Sequence, residues 1–152
     1  MEEESRQNNR MLKVVLDTNV LVSALIRNKR LPAFILALVR RKKVVLCLSG
    51  EILEEYEEVL KRERFLAIRA DAVSLLAALR KEALWIKPKI RFDDIAGDPE
   101  DNKFLDCAYS AQADYLITGN AKHFPIKEFH RTRIANPREF IESTIHLLTT
   151  LN

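Results

Sequence analysis

The chain has 152 residues, 47% of them apolar and 31% charged, with a net charge of +3. That composition fits one globular domain with its own core and excludes a disordered chain. A charge this small leaves any role toward a polyanion to the distribution of basic residues. The longest apolar stretch, Leu31–Val39, interrupted by Pro32, falls well short of the ~20 residues a membrane span needs. Glu2, Glu3 and Glu4 stand where a signal peptide would become apolar, so a cytoplasmic protein is expected. Cys47 and Cys107, in apolar contexts, are expected to be buried free thiols.

Residues 1–10 read as a disordered tail or an extension left by expression, and residues 11–152 as a single domain. Lys13–Leu16 and Val44–Leu48 are short β-branched apolar runs, as in strands buried on both faces. Between them Pro32 opens a helix to about Arg41. Ser49 caps another to about Arg62. Arg69–Ala83 is a third helix, with Val73, Leu76, Leu79 and Ala83 on one stripe. Leu84–Ile86 is a weaker strand. Asp98-Pro99 starts a fourth helix ending near Ala113. Tyr115–Thr118 and Arg133–Ala135 are further strands, and Pro137 opens a last helix to about Leu148. This alternation predicts an α/β fold, a three-layer α/β/α sandwich with a mainly parallel sheet.

Only Gly50, Gly97 and Gly119 are glycine, too scattered for a dinucleotide fingerprint or a P-loop. His123, His130 and His146 lack zinc-ligand spacing, and there is no nucleophile elbow. The chemistry is therefore left to carboxylates. Asp17 directly follows the first strand, at the edge where open α/β sheets bind ligands, and its alternative role is helix capping. Thr118-Gly119-Asn120 opens at the same edge. In the acid-rich helix after the second strand, Glu55 and Glu57 flank the apolar stripe on opposite sides, and periodicity does not choose between them. Asp98 fits an N-cap, while Asp101 shares the inward face of Phe104, Leu105 and Ala108. Asp106 points roughly the other way and reads as solvated.

These carboxylates should gather at one edge of the sheet, and several acids in one cleft repel unless a cation sits among them. Oxygen ligands without His or Cys select a hard ion, Mg²⁺ or Mn²⁺, which suits phosphodiester hydrolysis. Between Thr18 and Gly50 there is no acid, and that segment carries Arg27, Lys29, Arg30, Arg40, Arg41, Lys42 and Lys43. A second basic group is Lys122, Lys127, Arg131, Arg133 and Arg138. Basic segments rimming an acidic cleft would hold a nucleic-acid backbone.

Four stretches now read together: Val-Val-Leu-Asp-Thr-Asn-Val-Leu-Val-Ser-Ala at 14–24, Leu-Ser-Gly-Glu-Ile-Leu-Glu-Glu-Tyr-Glu-Glu-Val-Leu at 48–60, Asp-Pro-Glu-Asp-Asn-Lys-Phe-Leu-Asp-Cys-Ala at 98–108, and Ala-Asp-Tyr-Leu-Ile-Thr-Gly-Asn at 113–120. In this order and spacing the chain resembles the PIN domain family from about Leu12 to Phe140, in the branch described as toxin components of toxin–antitoxin pairs. The resemblance implies a five-stranded parallel sheet of order 3-2-1-4-5 and an Mg²⁺- or Mn²⁺-dependent endoribonuclease. It implies catalytic roles for Asp17, Glu55 and Asp101, with Asp17 and Asp101 as metal ligands. It thereby chooses Glu55 over Glu57. Thr118 and Asp98 are secondary candidates, as is Asn120, which stands where the family often has a fourth acid. An amide oxygen can ligate a metal or its water but neither neutralises charge nor acts as a base. Arg27, Lys29, Arg30 and Lys122 are the candidate RNA contacts. RNA, an antitoxin protein and a second copy of the chain are the implied partners.

Two other readings fit parts of the pattern. A non-catalytic RNA- or partner-binding module on the same fold would explain Asn120. An aspartyl-nucleophile phosphohydrolase of the haloacid dehalogenase kind would use Asp17 but expects a second Asp two residues on, where this chain has Asn19.

Overall fold

A computed structural model of the chain describes residues 11–26, 29–93, 95–120 and 124–150. Residues 1–10 lie outside them. In chain order the elements are β1 (Lys13–Leu16), α1 (Thr18–Leu25), α2 (Arg30–Arg40), β2 (Val45–Leu48), α3 (Gly50–Leu60), a 3₁₀ turn (Glu63–Ile68), α4 (Arg69–Glu82) and β3 (Leu84–Trp85). A second 3₁₀ turn (Pro99–Asp101) then leads to α5 (Asn102–Ala111), β4 (Tyr115–Ile117), β5 (Glu128–Phe129), β6 (Thr132–Ala135) and α6 (Pro137–Thr150). Among the described residues no helix is long and apolar enough to cross a membrane.

The strands form one sheet in the order β3-β2-β1-β4-β6-β5. Every pairing is parallel except that of β5 with β6. The register is set in the middle, where Val14 pairs with Leu46 on one side and Tyr115 on the other. Val14, Val15 and Leu16 are all buried, as a central parallel strand covered on both faces requires. α5 packs on β1, β2 and β4, while α6 packs on β4 and β6 and against α2, which completes the α/β/α sandwich. Phe104, Phe140, Leu21, Ile35 and Leu79 are among the largest fully buried side chains of its core. Cys47 and Cys107 are buried and free, and burial pushes the Cys47 thiol up to about 11.

Several expectations need correction. The sheet has six strands rather than five, because Glu128–Phe129 pairs antiparallel with Thr132–Ala135 across a two-residue turn. Two residues are too few to show a period. α1, the helix that Asp17 would cap, takes its range from the structure, where Val20 and Leu21 bury its inner face. α2 begins at Arg30, which puts Pro32 inside its first turn, where a missing N–H costs nothing. In α4 the buried stripe is Ala72, Leu75, Leu76 and Leu79, while Val73 is 64% exposed. Val73 stands ~100° around the helix from that stripe. The helix expected from Asp98 divides into a 3₁₀ turn and α5, which Gln112 ends in the left-handed region at φ 53°. Asp106 is buried, not solvated, because the segment before α5 runs back along it. Phe92 N donates to Asp106 Oδ1 at 2.8 Å, and Ala96 N to Asn102 Oδ1 at 3.0 Å.

Candidate active site

Parallel strands deliver their last residues to one edge, and Asp17 is the first residue beyond β1. Its N–H donates to Ile117 O at 2.9 Å, so the ladder with β4 continues through its backbone. Its side chain does not cap α1. Instead Asp17 Oδ2 accepts from Thr118 Oγ1 at 2.7 Å, and Asn19 Nδ2 stands 3.4 Å away. Asp17 is 5% exposed. Burial pushes its pKa up, the Thr118 hydrogen bond opposes this, and the nearby Glu55 charge adds to the rise.

The segment after β4 is shaped around this carboxylate. Thr118 is fully buried, and its N–H donates to Ala135 O. Gly119 N donates to Asn19 Oδ1 at 2.9 Å. A Cβ at Gly119 would meet that oxygen at 3.2 Å, so glycine permits the close approach. Asn120 N donates to Thr118 Oγ1 at 3.1 Å, which puts Asn120 one residue beyond the Gly119–Asn19 contact.

Glu55 comes from α3. Ser49 caps that helix by accepting from Ile52 N. The fully buried Tyr56 donates its hydroxyl to Leu16 O at 2.5 Å, which ties α3 to the end of β1. Glu55 accepts from Thr18 Oγ1 through Oε2 and from Lys103 Nζ at 2.8 Å through Oε1. Glu57 turns to the other flank and pairs with Arg80 of α4. Asp98 Oδ1 accepts from Glu100 N at 3.0 Å, which makes it a cap. Asp101 is 8% exposed at the end of the same turn.

Two hollows meet at these residues. A groove of about 880 Å³ is lined by Glu55, Asp98, Asp101, Lys103 and neighbouring acids of α3 and α5. A smaller one of about 310 Å³ is lined by Asp17, Thr18, Asn19, Arg64, Phe65 and Asp101 among others. Val59 and Asp101 border both. Asp17 and Asp101 thus share one hollow, and Glu55 and Asp101 the other. Among the described residues no three Asp, Glu, His or Cys side chains form a compact ligand group, and Glu55 is engaged instead with Thr18 and Lys103. The oxygen-only donors Asp17 and Asp101 fit a hard divalent cation, and such an ion would offset the burial that opposes Asp17 ionisation.

Lys29 and Arg30 are exposed at the start of α2, and neither lines the hollow around Asp17. Arg27 and Lys122 lie outside the described residues.

Sequence reasoning missed Lys103, Arg64 and Phe65. Lys103 stands two residues after Asp101, a spacing that helical periodicity does not place on one face. Its ammonium is pulled down by burial, and the Glu55 hydrogen bond and charge outweigh this, so its pKa rises. Arg64 stacks over the Phe65 ring, 4.7 Å from its centroid, in a 3₁₀ turn with no periodic signal.

A family model described as PIN domain matches residues 13–122. An uncharacterized protein of Methanocaldococcus jannaschii is 33% identical over 143 residues, covering 86% of this chain and 90% of its own length.

Proposed function

The chain belongs to the PIN domain family, a nuclease-type fold, and we propose that it is a metal-dependent endoribonuclease acting where Asp17 and Asp101 share a hollow. The observation that carries the reading is two buried carboxylates, from β1's end and from the turn before α5, lining one small hollow beside a cation, Arg64. Buried like charges at close quarters favour a bound cation.

Asp17 and Asp101 would hold the ion, Mg²⁺ or Mn²⁺. When bound, it supplies Lewis acidity toward a phosphodiester oxygen and lowers the pKa of water. The remaining work belongs to side chains. Thr118 fixes the orientation of the Asp17 carboxylate through the bond to Oδ2. Glu55 receives the proton of the attacking water, and Lys103 keeps the Glu55 carboxylate aimed. The Arg64 guanidinium meets a phosphate, and Phe65 beneath it offers a face to a base. Asn120 contributes an amide oxygen without charge, and Asp98 remains a cap. Lys29 and Arg30, with Arg27 and Lys122, extend the backbone contacts.

A toxin role with an antitoxin partner, a homodimer and a cytoplasmic location belong to the same reading. A second reading, a PIN-fold module that binds RNA without turnover, is favoured by the Lys103–Glu55 pair, which already neutralises one of the three acids. Labelled structured RNA incubated with Mn²⁺, Mg²⁺ or EDTA separates the two. Cleavage that needs the ion and disappears in Asp17→Asn supports the nuclease. Retained RNA binding with no cleavage under either ion would replace it with the second reading.

A further inference from the structure

The acidic groove poses a problem for a polyanionic substrate. Among the described residues nine carboxylates and three cations line it, and each of those cations is paired with one of its acids. Such a surface repels a phosphate backbone, so affinity for RNA has to come from elsewhere on the molecule.

A separate pocket, of about 530 Å³, has the opposite character. It is lined by Trp85, Lys87, Lys89, Tyr109, His130 and Arg131 among others, and among the described residues no acid lines it. Lys87 and Lys89 are exposed. Arg131 is partly offset by Asp114 at 3.4 Å. Trp85, on the edge strand β3, is 47% exposed although its indole donates to Arg80 O. The Tyr109 and His130 rings meet edge to face with centroids 4.7 Å apart. His130 holds φ 57° in the β5–β6 turn, a conformation that glycine adopts more cheaply. Gln112, another left-handed residue, lines the same pocket. Cations beside open aromatic faces are what single-stranded nucleic acid needs, with phosphates on the Lys/Arg groups and a base stacked on a ring.

The two regions are joined along α5. Asn102, Lys103 and Asp106 at its start line the acidic groove, and Tyr109 and Ser110 at its end line the basic pocket. Asp106 and Tyr109, the nearest of these, are ~4.5 Å apart along the helix axis, and Lys103 and Tyr109 are ~9 Å apart. The segment after β3 runs beside it, with Lys89 N near Ser110 Oγ and Phe92 N on Asp106.

We propose that the Trp85–Lys87–Lys89–His130–Arg131 pocket is a second nucleic-acid contact that grips a single-stranded segment of RNA outside the cleavage site. The inference rests on RNA as the substrate, but its test does not need cleavage. Trp85 is the only tryptophan in the chain, so its emission reports the pocket directly. An octamer of uridylate titrated into the full-length protein in EDTA should quench Trp85 saturably. The double variant Lys87→Glu/Lys89→Glu should weaken binding about tenfold at low salt. It should also flatten the dependence of log affinity on log salt by about 1.4, or ~0.7 for each lost phosphate contact. Trp85→Ala should weaken binding of a fluorescently labelled octamer followed by anisotropy. Inorganic polyphosphate should bind without comparable quenching. Unchanged Trp85 emission, an unaffected double variant, or equal quenching by polyphosphate would each overturn the proposal. Loss of cleavage with intact quenching would instead refute the nuclease and leave this contact standing.

Discussion

Lys103→Met removes the ammonium from Glu55 while keeping most of the aliphatic stem. The pair is largely shielded, with side-chain exposures of 15% for Lys103 and 20% for Glu55, at 2.8 Å. Exposed pairs contribute ~0–1 kcal/mol and removal of one partner from a buried pair costs ~3–5 kcal/mol. A pair between these limits should cost about 2 kcal/mol when Lys103 is replaced. For a chain of this size that lowers Tm by ~4–8 °C. Thermal unfolding in EDTA of Lys103→Met, Glu55→Gln and the double variant gives the coupling directly. The expected coupling is about 1–2 kcal/mol, with the double variant less destabilised than the sum of the singles. Mn²⁺ should recover more stability in Lys103→Met than in the parent, because the freed Glu55 becomes available to a cation. A saturating ligand at a hundredfold its Kd contributes ~2.7 kcal/mol. Zero coupling, with equal Mn²⁺ stabilisation in both proteins, would refute the account of Glu55.

Burial raises the Asp17 pKa above 3.8 in the fold, so the native state retains a proton that the unfolded chain has released. Stability from this group is complete below pH 3.8, declines as pH rises through the native value, and then stays level. Asp17→Asn should therefore be more stable than the parent in EDTA at pH 7, with the difference shrinking toward pH 3.8; urea titrations at both pH values check the sign. Tyr56→Phe deletes the bond to Leu16 O and should cost ~1–2 kcal/mol, with loss of cleavage beyond that expected from stability alone, as judged by assays well below Tm. Val73→Lys should change stability by less than ~0.5 kcal/mol, and Leu79→Ala should cost ~2–5 kcal/mol, because Val73 is 64% exposed and Leu79 is fully buried. Denaturant midpoints of these two variants compare the observed face of α4 with the one its sequence suggests.

The parallel sheet was legible because Lys13–Leu16, Val45–Leu48 and Tyr115–Ile117 are apolar on both faces and sit between helical periods. Asp17 was legible for a topological reason, as the first residue after a strand whose carboxyl end opens to solvent. Periodicity left Glu55 and Glu57 equivalent, since both flank the apolar stripe of α3. Their difference lies in tertiary partners, Thr18 and Lys103 for one and Arg80 for the other, and no local pattern encodes those. Asp106 reads as solvated in the sequence for the same reason, because the segment that covers it comes from fourteen residues away. β5 and the Arg64–Phe65 turn are too short to carry a period. The basic pocket combines residues from β3, α5 and the β5–β6 turn, far apart in the chain, so only the fold brings them together.

The central claim is that Asp17 and Asp101 form a metal-dependent cleavage site. Its most direct test is cleavage of a labelled structured RNA by the full-length protein in Mn²⁺, Mg²⁺ or EDTA, beside Asp101→Asn. The account predicts cleavage with the ions, none in EDTA, and none in the variant although it remains folded. Cleavage that persists undiminished in Asp101→Asn, or proceeds equally in EDTA, would contradict it.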